Sequence, residues 1–251
     1  MTTSAGRSAR HVALPQVGKK GQALIDGSTV LLIGVGGIGC AAAAYLASSS
    51  CARLLLSDFD TVDSTNLGRQ ILFGPDDVGK QKVDAAGATL STVNPDICIE
   101  KYPDRLSGAA LSEAIARADV VLDGSDNFTT RFMVSDACVA AGTCLISGSA
   151  IRLEGQLAVF GPNYADSPCY RCLYREADES LDNCSGNGVL APVPGVIGTM
   201  MATEALKYLA GLKTTTGILH LYDAATPEWR AINIKKRDDC PGCSKNGDIL
   251  N

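Results

Sequence analysis

Thr29-Val-Leu-Leu-Ile-Gly-Val-Gly-Gly-Ile-Gly-Cys40 opens with a branched apolar run and breaks into closely spaced glycines. Residues 30–33 carry no polar side chain, as a strand buried on both faces requires. Gly34, Gly36 and Gly39 fit a tight turn between a first strand and a helix, where backbone N–H groups approach phosphate at the positive helix end. The alanine-rich stretch 40–50 supplies that helix. A second apolar run, 54–56, leads into Asp58-Phe-Asp60. Asp58 therefore falls at the end of the next strand, about 20 residues on, where an acid accepts hydrogen bonds from ribose hydroxyls. By itself this arrangement suits a dinucleotide or ATP, and a glycine turn that only packs helix on strand is its structural alternative.

Working outward, the pattern repeats. Residues 80–93 are expected to be helical and to stop ahead of Asn94-Pro95, because proline disfavours helical geometry in its predecessor. Helix at 111–118, strand at 119–123, helix at 131–141 and strand at 144–147 follow. Strands alternating with helices across 29–149 predict an α/β, Rossmann-like fold, its mostly parallel sheet covered on both faces. Stretches within 154–160, 217–223 and 228–234 alternate polar and apolar residues, as antiparallel strands extending that sheet would. Residues 198–212 place Met201, Ala205, Leu209 and Leu212 on one stripe, a core helix. The polar segment 164–193 lacks periodicity, and so long a loop is generally functional or pinned. With no repeat or linker, a single domain over 1–251 is expected, with a nucleotide-binding half (29–150) and a distinct second half (151–251).

At 251 residues, 46% hydrophobic and 20% charged, the chain can bury a sizeable core and is not of disordered composition. Its net charge of −5 argues against coating nucleic acid, and no run approaches the roughly 18 apolar residues of a membrane span. Ten cysteines behind a polar start, with no apolar signal segment in 1–11, point to the cytoplasm. There, grouped cysteines bind metal or do chemistry more often than they form disulfides. Cys169-x-x-Cys172 and Cys240-x-x-Cys243 offer four thiolates for tetrahedral Zn²⁺; the competing redox reading expects one pair at a helix N-terminus. Cys40, Cys51, Cys98, Cys138 and Cys144 are expected to pack in the core. Cys184, in Asp182-Asn-Cys184-Ser-Gly, is a reactive thiol or a bystander.

Two further features bear on chemistry. The polar stretch 58–70 contains Arg69, and Lys82 follows it. A triphosphate that will be split needs cations to offset its shifting charge, which a bound NAD does not. Asp126 lies in the loop after the 119–123 strand, the edge where open α/β sheets bind ligands. A carboxylate there suits Mg²⁺ beside phosphate oxygens, and capping the next helix is its alternative role.

Gly-Val-Gly-Gly-Ile-Gly at 34–39, Asp-Phe-Asp at 58–60, Asn-Leu-Gly-Arg-Gln at 66–70, Asp123-Gly-Ser-Asp126-Asn127, Cys169-Tyr-Arg-Cys172 and Cys240-Pro-Gly-Cys243 occur in that order. Together, over about residues 10–243, they resemble the ThiF/MoeB family, bacterial relatives of the ubiquitin-activating enzymes. The resemblance implies an adenylyltransferase. ATP would adenylate the C-terminal Gly-Gly carboxylate of a small ubiquitin-like sulfur carrier of the ThiS or MoaD type, releasing pyrophosphate, in thiamin, molybdopterin or a related biosynthesis. It implies that Gly37 lies against the nucleotide with the other loop glycines and that Asp58, with Asp60 nearby, holds the ribose. Thr65, Asn66, Leu67, Gly68, Arg69 and Gln70 would border the triphosphate, with Arg69 and Lys82 carrying its charge. Asp126, with Asn127 beside it, would position Mg²⁺, and the four paired cysteines would hold structural Zn²⁺.

Arg10 matches an arginine that reaches into the partner subunit's ATP site of a homodimer, although Arg10-His11 replaces the usual Arg-Gln. Cys184 matches a sulfur-transfer cysteine of ThiF-type members. The second half would carry the carrier-binding surface and the zinc, with sulfur supplied by a separate donor such as a cysteine desulfurase or sulfurtransferase. The rival readings are an NAD-dependent oxidoreductase and a non-catalytic, zinc-stabilised carrier-binding scaffold.

Overall fold

A computed structural model describes residues 4–175 and 188–244. Two helical turns, α1 (Ser4–Arg7) and α2 (Ala9–Val12), and helix α3 (Gly18–Asp26) lead into β1 (Thr29–Ile33). The strand–helix alternation continues through α4 (Gly37–Ser48), β2 (Arg53–Ser57), α5 (Lys82–Val93), β3 (Cys98–Tyr102), α6 (Gly108–Ala116), β4 (Val120–Asp123) and α7 (Phe128–Ala141). Then come β5 (Cys144–Ile151), β6 (Glu154–Phe160), α8 (Tyr170–Leu173), α9 (Pro192–Leu209), β7 (Ile218–Asp223) and β8 (Glu228–Asn233). The eight strands form one sheet in the order β3-β2-β1-β4-β5-β6-β7-β8. Pairings from β3 to β5 are parallel and those from β5 to β8 antiparallel, which is the mixed sheet the sequence pattern calls for.

The unbroken apolar run of β1 follows from its central place. Val30 and Leu32 pack on one face with Leu54, Leu56 and the small side chains of α4. Leu31 and Ile33 pack on the other with Leu55, Val121 and Phe132. A strand covered on both sides has no position to spare for a polar side chain. Helix α4 obeys the same logic, with eight of its twelve residues buried between sheet, α5 and α9.

Element ends shift where capping decides them. Helix α7 starts three residues earlier than its apolar pattern because Asn127 Oδ1 accepts from the Thr130 N–H at 2.8 Å. The α9 helix starts at Pro192, with prolines in the first turn, where a missing N–H costs nothing. Strand β3 and helix α3 were not expected from the pattern. At the sheet edge β3 is only half covered and carries Glu100 and Lys101, so it has no apolar run to reveal it. Its position also corrects one cysteine: Cys98 is exposed on this edge, whereas Cys40, Cys51, Cys138 and Cys144 are buried as expected. Among the described residues, no helix is long and apolar enough to cross a membrane.

Candidate functional site

Where β1, β2 and β4 end, their loops enclose a cavity of about 550 Å³. The turn after β1 needs its glycines for different reasons. Gly34 has φ of +85°, a left-handed conformation costly for a side chain, and its N–H donates to Ser57 O at 2.8 Å. Gly39 does not line the cavity; a Cβ there would sit 2.0 Å from Gly34 O, so it allows α4 to start hard against the loop. Gly36, Gly37 and Ile38 line the wall, bringing the positive end of α4 to the cavity.

Asp58 stands at the end of β2. Its Oδ2 accepts from the Val35 N–H at 2.7 Å and its Oδ1 from the Asp60 N–H at 2.9 Å. Each oxygen keeps a further acceptor site for a ligand hydroxyl. Burial pushes this carboxyl up, and the Lys82 charge and the two backbone donors pull against that rise. Lys82, the first residue of α5, is buried and donates to Asp60 Oδ2 at 2.8 Å, with its backbone N–H bonded to Asp60 O. The buried ammonium is thus held at the cavity wall by a half-exposed carboxylate.

The 63–70 stretch is a turn with its own cap. Asp63 Oδ1 accepts from the N–H and hydroxyl of Thr65, while Asn66 Oδ1 accepts from the Asp63 N–H. Thr65, Asn66, Arg69 and Gln70 line the cavity, and Arg69 Nη1 donates to Thr65 O at 3.0 Å. Leu67 instead packs on the core, and Gly68 is exposed with open space where a side chain would be.

The loop after β4 presents Asp126. Because Asn127 caps α7, the Asp126 carboxylate is not used as the cap; it is exposed at the cavity, touched by Asn127 Nδ2 at 3.3 Å. The loop is clamped from beneath. Asp123 Oδ1 accepts from the Ser125 N–H at 2.9 Å, and Arg131 Nε and Nη2 both donate to Ser125 O. Burial pushes the Asp123 carboxyl up, against the pull of the Arg131 charge.

Four cations (Arg69, Lys82, Arg105, Arg131) and four carboxylates (Asp58, Asp60, Asp63, Asp126) line this cavity. Both signs together suit a polyanion accompanied by a divalent cation better than either would alone. Arg105 and Arg131 were missed as site residues. Arg105 lies in the β3–α6 loop with no motif around it, and Arg131 reads as one polar residue of a helix. Arg10 is exposed on α2 and does not line this cavity. Cys184 lies outside the described residues.

The paired cysteines come together on the other half. The Sγ atoms of Cys169, Cys172, Cys240 and Cys243 lie within 4.8 Å of one another, and all four residues are buried. Cys169–Cys240 and Cys172–Cys243 are each 3.6 Å apart. Tetrahedral thiolates around Zn²⁺ with bonds near 2.3 Å would be about 3.8 Å apart, so the donor set fits the ion.

A family model described as the ThiF family matches residues 8–242. The chain is 43% identical over 237 residues to the sulfur carrier protein ThiS adenylyltransferase of Escherichia coli (strain K12), covering 94% of each chain. It is 42% identical over 238 residues to the molybdopterin-synthase adenylyltransferase of the same organism, covering 94% of this chain and 95% of that one. The crystal structure of E. coli MccB with succinimide shares the fold, with a TM-score of 0.83 at 22% identity over 97% of this chain and 75% of that one.

Proposed function

This chain belongs to the ThiF family, and from that premise we propose that it is an ATP-dependent adenylyltransferase for a small ubiquitin-like sulfur carrier. The carrier's C-terminal Gly-Gly carboxylate attacks the α-phosphate of ATP, and pyrophosphate leaves. The observation that carries this reading is the mixed-charge cavity, with Arg69 and the buried Lys82 beside a helix N-terminus and a ribose-binding acid. An NAD-dependent oxidoreductase would have little use for these two cations, and a non-catalytic scaffold would have none for Asp126.

In this reading Asp58 accepts the ribose hydroxyls on its remaining lone pairs, and Gly36 and Gly37 let the backbone approach phosphate. Arg69 and Lys82 face the charge that builds on the leaving pyrophosphate, where preorganised donors contribute most. Lys82 exchanges its Asp60 partner for phosphate oxygens at little cost, because Asp60 is half exposed and returns to water. Asp126 would hold Mg²⁺, which when bound offsets phosphate charge. The cysteine cluster would hold Zn²⁺ as a closed structural ion, tying the segment around Cys169 to the C-terminal knuckle.

The proposal extends to a cytoplasmic homodimer in which Arg10 acts across the interface, to a second half that docks the carrier, and to sulfur arriving from a separate donor. Cys184 is the candidate thiol for that transfer. Near-equal identity to a ThiS-directed and a molybdopterin-synthase-directed relative leaves both carrier types to be assayed. Purified chain with ATP, Mg²⁺ and labelled pyrophosphate should show exchange dependent on a ThiS- or MoaD-type carrier. No exchange with either, or exchange indifferent to Asp126→Ala, would sink the reading.

A further inference from the structure

The cavity holds a feature that the phosphate machinery leaves unused. Phe59 follows Asp58 directly and is 47% exposed although aromatic. The Arg105 guanidinium lies over its ring, 4.2 Å from the centroid, and donates from Nη1 to Thr130 Oγ1 at 3.3 Å. Arg105 is thus fastened between the end of β2 and the start of α7, and both it and Phe59 line the cavity beside the buried, apolar Leu106. A planar cation spread on an aromatic ring presents a flat face to which a purine can stack. The pair adjoins the acid assigned to ribose, whereas Arg69 and Lys82 flank the polyphosphate side.

We propose that Arg105, seated on Phe59, is the nucleobase-binding face of this cavity and acts on the base rather than on phosphate. The assignment rests on the nucleotide reading above. Calorimetric titration of the full chain with ATP and with inorganic triphosphate, both with Mg²⁺, tests it. Arg105→Ala is expected to weaken ATP about tenfold, the scale of a lost stacking partner, while inorganic triphosphate binds unchanged. Phe59→Leu should give a smaller loss with the same selectivity, and Arg69→Ala should weaken both ligands. Equal losses for ATP and triphosphate in Arg105→Ala, or no loss for ATP, would overturn the assignment. Failure of the unaltered chain to bind ATP would instead remove the nucleotide reading, and this assignment with it.

A separate observation concerns the cysteine cluster. Lys236, in the segment after β8, donates from Nζ to Tyr164 O (2.6 Å), Cys243 O (2.8 Å), Ser167 O (3.4 Å) and Cys243 Sγ (3.1 Å). Four thiolates around Zn²⁺ carry two excess negative charges, and an N–H donor at a ligand sulfur tunes how firmly the metal is held. We infer that Lys236 is a counter-cation of the metal centre, joining Cys243 to the loop before Cys169 and slowing metal loss. The inference rests on the zinc reading of the cluster. Zinc release from the full chain into a chelator, followed with a chromophoric indicator, should be at least about tenfold faster in Lys236→Met. Lys236→Arg should remain close to the unaltered chain, and exposed Lys235→Met should not differ from it. Unchanged release in Lys236→Met, or Lys236→Arg as fast as Lys236→Met, would overturn the inference. A chain that takes up no zinc would refute the metal reading itself and the inference along with it.

Discussion

The cavity at the strand ends and the cysteine cluster are assembled differently. The cavity is built from loops at successive strand ends, and it mixes exposed carboxylates such as Asp63 and Asp126 with buried charges such as Asp58 and Lys82. The cluster joins two knuckles 71 residues apart and buries all four ligands. The exposed charges of the cavity, Asp126 among them, contribute little to folding, because each can be solvated when its partner goes. A closed site whose ligands are buried and distant in sequence acts as a cross-link, and its metal affinity becomes folding free energy. Changes at the cavity should therefore cost activity, and changes at the cluster should cost stability.

The largest break of that division would come from Cys240→Ser. Metal content should fall, and the melting temperature should drop by about 10 °C or more, as several kcal/mol does in a chain of this size. ATP binding by the chain that still folds should shift only a few-fold; a complete loss would show that the cluster shapes the cavity. Next, Asp126→Ala should lower carrier-dependent pyrophosphate exchange by at least about 100-fold, with melting temperature and zinc content unchanged. A melting shift of several degrees would assign Asp126 a structural role.

Gly39→Ala tests a place where the cavity depends on packing. The added Cβ meets a backbone oxygen that cannot swing away, so a loss of about 1–3 kcal/mol should appear in denaturant unfolding together with weaker ATP binding. The smallest effect is a control remote from both sites. Glu100 pairs with Arg117 and Tyr102 at the β3 edge, and the Arg117 contact leads in holding its carboxyl down to about 2. A lowered carboxyl pKa adds stability above the ordinary value of 4.5 that is lost as pH falls toward 2. The pair is solvent-accessible, so Glu100→Gln should cost less than about 1 kcal/mol at neutral pH and less still in high salt. A larger loss, or one insensitive to pH between 5 and 2, would contradict this.

Much of the cavity was legible because it is local. The glycine turn, Asp58, the 63–70 turn and Asp126 each stand next to the strand that presents them, so strand order alone converges them. Arg105 was not legible, since its partner Phe59 lies 46 positions away and the loop bearing it has no recurring pattern. Cys98 misled for a related reason. Ile97 and Ile99 flank it as they would a core cysteine, but whether an edge strand is covered depends on what packs over it.

By itself the sequence determined the alternation of strands and helices, the glycine turn, the ligand types and the two cysteine knuckles, because these are properties of neighbours along the chain. Tertiary structure alone decided that Arg105 and Arg131 join the cavity and that Cys98 is left exposed on the β3 edge. The physical reason is common to both. Burial and pairing are set by which surfaces the folded sheet brings into contact, and a residue's neighbours along the chain carry no mark of what will pack over it.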